Sequence, residues 1–300
     1  MPVYNAASTL QKAVSSIQDQ TLQDLEIILV DDGSSDGSVE LGRSLAQKDP
    51  RIRFFPRPRQ GLVQTLNFGL NRCRARYIAR MDSDDISRPD RLRRQAEYLE
   101  NNPDTGLVSG LVNYSGPVQK YFGYYLHVQW INSLLTPEQI SLNRFIESPL
   151  AHPSVMFRRS LIDRFGPYRA GPFPEDYELW LRWLENRVKM SKIPEKVLDW
   201  KDHDQRLSRT DPAYAQDAFF RLKAGYLAAW LEKHNPFHPQ VWVWGAGRRT
   251  RQRAGHILEH GCLISGYVDI RENAAGNLIH GRPVRHFLDL PGRDEAFIVV

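Results

Sequence analysis

Three carboxylates stand within four positions of the stretch YIARMDSDDISRPDRL, at Asp82, Asp84 and Asp85. At that spacing they repel one another. A hard divalent cation, Mg2+ or Mn2+, prefers carboxylate oxygens and would relieve the repulsion. Held there, it would grip a diphosphate and stabilise the charge that builds on a departing nucleotide. A solvated acidic turn ahead of a helix suits the same residues, because carboxylates favour a helix N-terminus. Asp-x-Asp alone leaves both readings open. Two other acidic pairs are equally ambiguous. Asp31 and Asp32 fit a turn before Gly33, and Glu175 and Asp176 fit the first turn of a helix after Pro174.

The elements around these residues decide where they point. LEIILVDDGS is a short buried strand that runs into a loop. RIRFFP, RYIARM and TGLVSGLVNY read as further strands. Apolar groups at Leu10, Ala13, Val14 and Ile17 have helical spacing, and DGSVELGRSLAQ, LVQTLNFGLNRC and RPDRLRRQAEYLEN complete an alternation of strand and helix across residues 1–115. That order predicts an α/β fold with a mainly parallel sheet flanked by helices. Ligands then bind at the carboxyl ends of strands, where Asp31, Asp32 and the Asp82–Asp85 cluster fall. Residues 116–150 are poorly periodic and read as irregular chain with a helix or two. AHPSVMFRRSLIDRFG reads as strand then helix. EDYELWLRWLEN is amphipathic, with Leu179, Trp180, Trp183 and Leu184 on its apolar face. PAYAQDAFFRLKAGYLAAWLEKHN is a long helix expected to close a first domain at 1–234. NPFHP (235–239) has linker chemistry, and a small Rossmann-like unit follows at 240–300.

The chain has 300 residues, 41% apolar and 25% charged, ample for a sizeable core. The net charge of +5 favours anionic partners mildly, but the basic residues are scattered rather than striped, which argues against nucleic acid. Cys73 and Cys262 lie far apart and suggest a reducing compartment. No apolar run approaches the ~18 residues that span a bilayer. MPVYN reads as the end of a strand and DEAFIVV as one just begun, so both ends are expected to be cut.

Four blocks in series carry a resemblance: MPVYNAASTLQKAVSSIQDQTLQDLEIILVDDGSSDGS, GLVQTLNFGLNRCRARYIARMDSDDISRPDRL, SPLAHPSVMFRR and PEDYELWLRW. Over residues 1–210 the chain resembles the family-two glycosyltransferases of GT-A fold, most strongly the subgroup that assembles bacterial exopolysaccharide and lipopolysaccharide units. The resemblance implies an inverting transfer of a sugar from a nucleotide-diphosphate donor to a hydroxyl of a saccharide or lipid-linked acceptor, with Mg2+ or Mn2+. It implies a cytoplasmic enzyme, peripheral on the inner face of the membrane where its acceptor is lipid-linked. Tyr4 then matches the residue that packs on the base, Asp32 the one that hydrogen-bonds it, Asp82 the one near the ribose and diphosphate, and Asp84 the metal ligand. Asp176 matches the catalytic base, with Glu175 and His152 on the acceptor or diphosphate side. A general base is needed because a sugar hydroxyl is a poor nucleophile until its proton is removed. The family's basic RxH segment is matched loosely by Lys201, His203, Arg206 and Ser208.

WGAGRRT supplies Gly245 and Gly247 at a strand–helix turn, with Asp269 at the distance of a ribose-binding acid. Thr250 stands where a third glycine belongs, so a nucleotide site and a degenerate module both fit. The competing reading of the whole is a catalytically silent nucleotide-binding regulator or scaffold.

Overall fold

In a computed structural model that describes residues 1–300, the chain divides between Thr210 and Asp211 into two units. The first contains β1 (Pro2–Val3), α1 (Leu10–Gln18), β2 (Ile27–Asp32), α2 (Ser38–Lys48), β3 (Ile52–Arg57), α3 (Leu62–Leu70) and β4 (Tyr77–Ala79). It continues through β5 (Ile86–Ser87), α4 (Arg91–Asn101), β6 (Thr105–Ser115), α5 (Phe122–Ser133), α6 (Pro137–Asn143), β7 (Met156–Arg158), α7 (Ser160–Phe165), α8 (Glu175–Glu185), β8 (Lys189–Lys201) and α9 (Leu207–Thr210).

Strands β1, β2 and β3 form a parallel sheet in that order. All of β2 is buried, which is why its Ile, Leu and Val run without polar alternation. A second sheet has the order β4-β7-β6-β8-β5. There β6 and β8 are parallel, whereas β7 is antiparallel to β4 and β6, and β5 to β8. The expected helix-flanked parallel arrangement is therefore joined by antiparallel neighbours. The sequence reading assigned no strand to 189–201. Pro194 breaks the pattern there, and the structure absorbs it. The β6–β8 register jumps from Gly110↔Ile193 to Leu111↔Lys196, which leaves Pro194 and Glu195 out of the ladder, where a missing N–H costs nothing.

Helix α8 is buried almost all round. Trp180 and Trp183 are fully enclosed, packed with Phe157, Leu107 and Met190. Truncating one such tryptophan to alanine costs about 3–5 kcal/mol, so the N-terminus of α8 is rigidly placed.

An apolar cavity of about 240 Å3 is walled by Ile27 and Ile28 of β2, Leu66 and Leu70 of α3, and Ile78 of β4. None of Asp82, Asp84, Asp85 and Asp176 lines it. At its margin the Met1 ammonium donates to the Ile28 carbonyl at 2.8 Å, and burial lowers its pKa to about 6.

The second unit contains α10 (Gln216–His234), β9 (Gln240–Trp244), α11 (Arg248–Gly255), β10 (Leu263–Asp269), β11 (Leu278–Ile279), β12 (Arg282–His286) and β13 (Ile298–Val299). Its sheet order is β11-β12-β10-β9-β13, all parallel except β11 on β12. Ala224, Ala228 and Leu231 of α10 pack against Val241, Val243, Ile257 and Tyr267. The division therefore precedes α10 rather than following it at residue 234 as expected, because the small side chains of this helix fit the second core.

Candidate active site

At the carboxyl end of the first sheet, Tyr4 follows β1 and is 45% exposed. The Arg59 guanidinium lies 3.6 Å from its ring centroid. Asp31 accepts the Gly33 and Ser34 amides at 3.1 and 3.0 Å, so it shapes the loop. Asp32 accepts the Gln60 and Gly61 amides at 2.7 and 2.9 Å. Its carboxylate thus holds the loop that carries Arg59. The close approach depends on Gly33: at φ +76° a Cβ there would sit 2.8 Å from the Arg59 nitrogen.

Beyond β4, carboxylate oxygens of Asp82, Asp84 and Asp85 lie within 4.8 Å of one another. Asp82 makes an ion pair with Arg80, whose side chain is 6% exposed. Asp84 meets His203 Nε2 at 3.0 Å. Asp85 is buried and accepts the Lys201 amide at 2.8 Å through Oδ1, while its Oδ2 has no hydrogen-bond partner. Burial, with the charges of Asp82 and Asp84, pushes the Asp85 carboxyl well above the usual carboxylate range. An orphaned buried oxygen beside two more carboxylates is a poor design for a solvated turn. It fits a hard divalent cation. Arg206, beyond β8, is stacked 4.7 Å from the Trp200 ring, and its buried Nη1 lies 3.8 Å from Asp202 Oδ1.

Asp176 lies in the first turn of α8 and accepts the Tyr177 amide at 2.7 Å. Burial first, and the neighbouring Glu175 charge second, raise its pKa to about 8. Glu175 is buried, 3.6 Å from His152 Nδ1. His152 Nε2 and the Tyr168 hydroxyl are 2.7 Å apart. Burial, reinforced by the Arg80 charge, holds the His152 pKa well below its ordinary value, so the ring is neutral.

The structure therefore brings His152 to Glu175, next to Asp176, and pairs Asp82 with Arg80. Tyr4 and Asp32 sit together on the neighbouring loop face. Arg80 and Tyr168 were missed in the sequence. Arg80 had a signal, a lone cation two positions before the acidic trio. Tyr168 had none. His203 was flagged only loosely, and β8 delivers it to Asp84.

In the second unit, Gly245 (φ +107°) closes the turn after β9, where a Cβ would meet Thr250 at 3.0 Å. Asp269 accepts the Ala246 amide at 2.9 Å and pairs with Arg271 at 2.9 Å. Arg271 holds its carboxyl well below the usual range. Gly247 is the N-cap of α11 and makes no side-chain cap bond. The three residues converge, but both Asp269 oxygens are already used.

Residues 1–166 match the family described as Glycosyl transferase family 2. The O-antigen biosynthesis glycosyltransferase WbnJ of Escherichia coli is 28% identical over 74% of this chain and 86% of its own length. A UDP-Gal:alpha-D-GlcNAc-diphosphoundecaprenol beta-1,3-galactosyltransferase of the same species is 32% identical over 64% of this chain and 68% of its own. Among solved structures, the mannosyltransferase PcManGT of Pyrobaculum calidifontis, in complex with GDP-Man and Mn2+, superposes with a TM-score of 0.54 at 18% identity, covering 86% of this chain and 67% of that one.

Proposed function

The chain belongs to glycosyl transferase family 2, and from that premise we propose that it moves a sugar from a nucleotide-diphosphate donor, with inversion, to a hydroxyl of a saccharide or lipid-linked acceptor in bacterial surface-polysaccharide synthesis. The relatives that act in O-antigen synthesis and on a diphosphoundecaprenol-linked sugar support that acceptor class. The observation that carries the reading is Asp176. It stands in the first turn of α8 beside the buried Glu175, and burial foremost raises its pKa to about 8.

Asp84, with Asp82 and Asp85, would hold Mg2+ or Mn2+, which supplies positive charge to the leaving diphosphate when bound. Tyr4 would pack on the base, and the loop held by Asp32 would border it. Asp176, as carboxylate, takes the proton of the acceptor hydroxyl. The hydroxyl oxygen forms its bond to the anomeric carbon as the carbon–oxygen bond to the diphosphate breaks, and the nucleoside diphosphate leaves with that electron pair. A single displacement of this kind inverts the anomeric configuration. His203 on Asp84 would add a donor on the diphosphate side. No helix is long and apolar enough to cross a membrane, which accords with a peripheral approach to a lipid-linked acceptor.

The test is calorimetric titration with UDP, GDP and dTDP, with and without Mn2+, beside Asp84→Ala. Metal-dependent binding of one nucleotide, lost in the variant, is expected. Binding that ignores the metal and survives Asp84→Ala would overturn the reading in favour of a silent nucleotide-binding regulator.

A further inference from the structure

One residue past the end of β8, the Asp202 side chain is fully enclosed. A carboxylate taken out of water must be paired and hydrogen-bonded, or its burial is strongly unfavourable. Arg209 grips it side-on. Its Nη2 lies 2.7 and 2.6 Å from the two oxygens, and its Nε 3.3 Å from Oδ1. The Tyr114 hydroxyl donates to Oδ2 at 2.8 Å, and the Asp202 amide donates to the Ser115 carbonyl at 3.0 Å. Tyr114 and Ser115 end β6, whereas Arg209 belongs to α9. One carboxylate thus ties the end of a strand to a helix further along the chain.

The residues on either side of Asp202 reach the acidic cluster and α5. Before it, the Lys201 amide donates to Asp85 Oδ1 at 2.8 Å. After it, His203 Nε2 meets Asp84 Oδ2 at 3.0 Å. Asp204 pairs with Lys120 at 2.8 Å and accepts the Tyr121 hydroxyl. The Arg209 guanidinium lies 3.7 Å from the Tyr121 ring centroid, and that of Arg206 lies 5.0 Å from the Tyr124 ring. Residues 201–209 are therefore a strap between the acidic cluster and the start of α5. Its outer contacts are wet: the side chains of His203 and Asp204 are 46% and 69% exposed. Ion pairs in that setting hold little. The buried Asp202 is the contact that can fix the strap.

We propose that Asp202 is a positioning residue for the metal end of the site: clamped between Tyr114 of β6 and Arg209 of α9, it holds the strap so that His203 stays beside Asp84. The inference rests on the transferase reading and deepens it, since it assigns work to a residue that touches neither substrate nor metal. The choice of arginine follows from geometry. Nε and Nη2 together match the two oxygens of a carboxylate, whereas a lysine ammonium is a point charge. Asp202→Asn keeps the shape but removes the charge that this fork requires. The strap is then held chiefly by its exposed contacts, and His203 is free to leave Asp84.

The experiment is a Mn2+ titration of the full chain in the parent, Asp202→Asn, His203→Ala and the double variant. Asp202→Asn should lower Mn2+ affinity by about tenfold or more. It should add nothing in the His203→Ala background, because both changes act on one contact. A merely structural role would lower the melting temperature without this cancellation. Unchanged affinity in Asp202→Asn, or a drop of equal size in both backgrounds, would overturn the proposal. Should Asp202→Asn fail to fold, Arg209→Lys, at a side chain 26% exposed, carries the same cycle with the same outcomes. A second arm needs neither ion nor nucleotide. In hydrogen exchange of the metal-free chain, the amides of Lys201, Asp202 and Arg206 should exchange faster in the variant, while those of β2 keep the parent's rates. Equal exchange across the strap would refute the clamp. A parent that binds no Mn2+ would defeat the metal-dependent transferase reading, and the exchange arm would still decide whether Asp202 holds the strap.

Discussion

The turn after β4 and the turn after β10 begin alike. Each has acidic residues at the carboxyl end of a strand, in a fold that places ligands there. They differ in what the fold leaves unsatisfied. Asp269 spends one oxygen on the Ala246 amide and both on Arg271, so its carboxylate is a structural clasp. Asp85 keeps a buried oxygen with no partner, and Asp84 meets only a histidine that can turn away. The turn at Asp269 is closed by its own partners, and the turn after β4 keeps an oxygen open. Residual hydrogen-bonding capacity, rather than the presence of an aspartate, separates a site from a structural turn.

That contrast can be broken most forcefully at Asp176. Asp176→Asn removes the proton acceptor, and transfer should fall by about 10²–10⁴-fold while Mn2+-dependent nucleotide binding persists. Loss of both together would show a folding role instead. Next is His203→Ala, which strips the partner from Asp84. Metal affinity should drop by about 10- to 100-fold, measured by Mn2+ titration. An unchanged affinity would make His203 a bystander.

The third test uses pH. The Asp176 carboxyl has its pKa raised to about 8. Below that value it is protonated and cannot accept the acceptor's proton; above it, the base is present. The rate of transfer by the free enzyme should rise with pH up to about 8, losing about tenfold per unit below it. A flat profile from pH 6 to 9 would remove Asp176 as the base. The smallest effect is expected on the other side of the comparison. Asp269→Ala should leave nucleotide affinity unchanged and destabilise the second unit by about 1–3 kcal/mol, through an unpaired amide and a lost ion pair. Weakened nucleotide binding in this variant would erase the distinction between the two turns.

Much of this site is legible along the chain. The buried strand before Asp31 and Asp32, the DSD cluster, and the amphipathic α8 behind Glu175 and Asp176 all show in apolar spacing and local composition. Less visible was β8, where Pro194 and several charges mask a strand whose pairing with β6 absorbs them in a bulge. Helix α10 was visible as a helix, but not as part of the second unit. Its small residues say that something packs closely against it, not what.

Local order was decided by the sequence itself. Periodicity and turn residues act over a few positions, and a strand followed by carboxylates puts them at its carboxyl end whatever the rest of the chain does. The tertiary structure alone decided how the charges are balanced. Glu175 lies by His152, His152 meets Tyr168, and His203 meets Asp84 across separations that no local pattern records. Electrostatic interaction and desolvation depend on distance and burial through space. The same aspartate is therefore a clasp at 269 and a candidate base at 176, and only folding tells them apart.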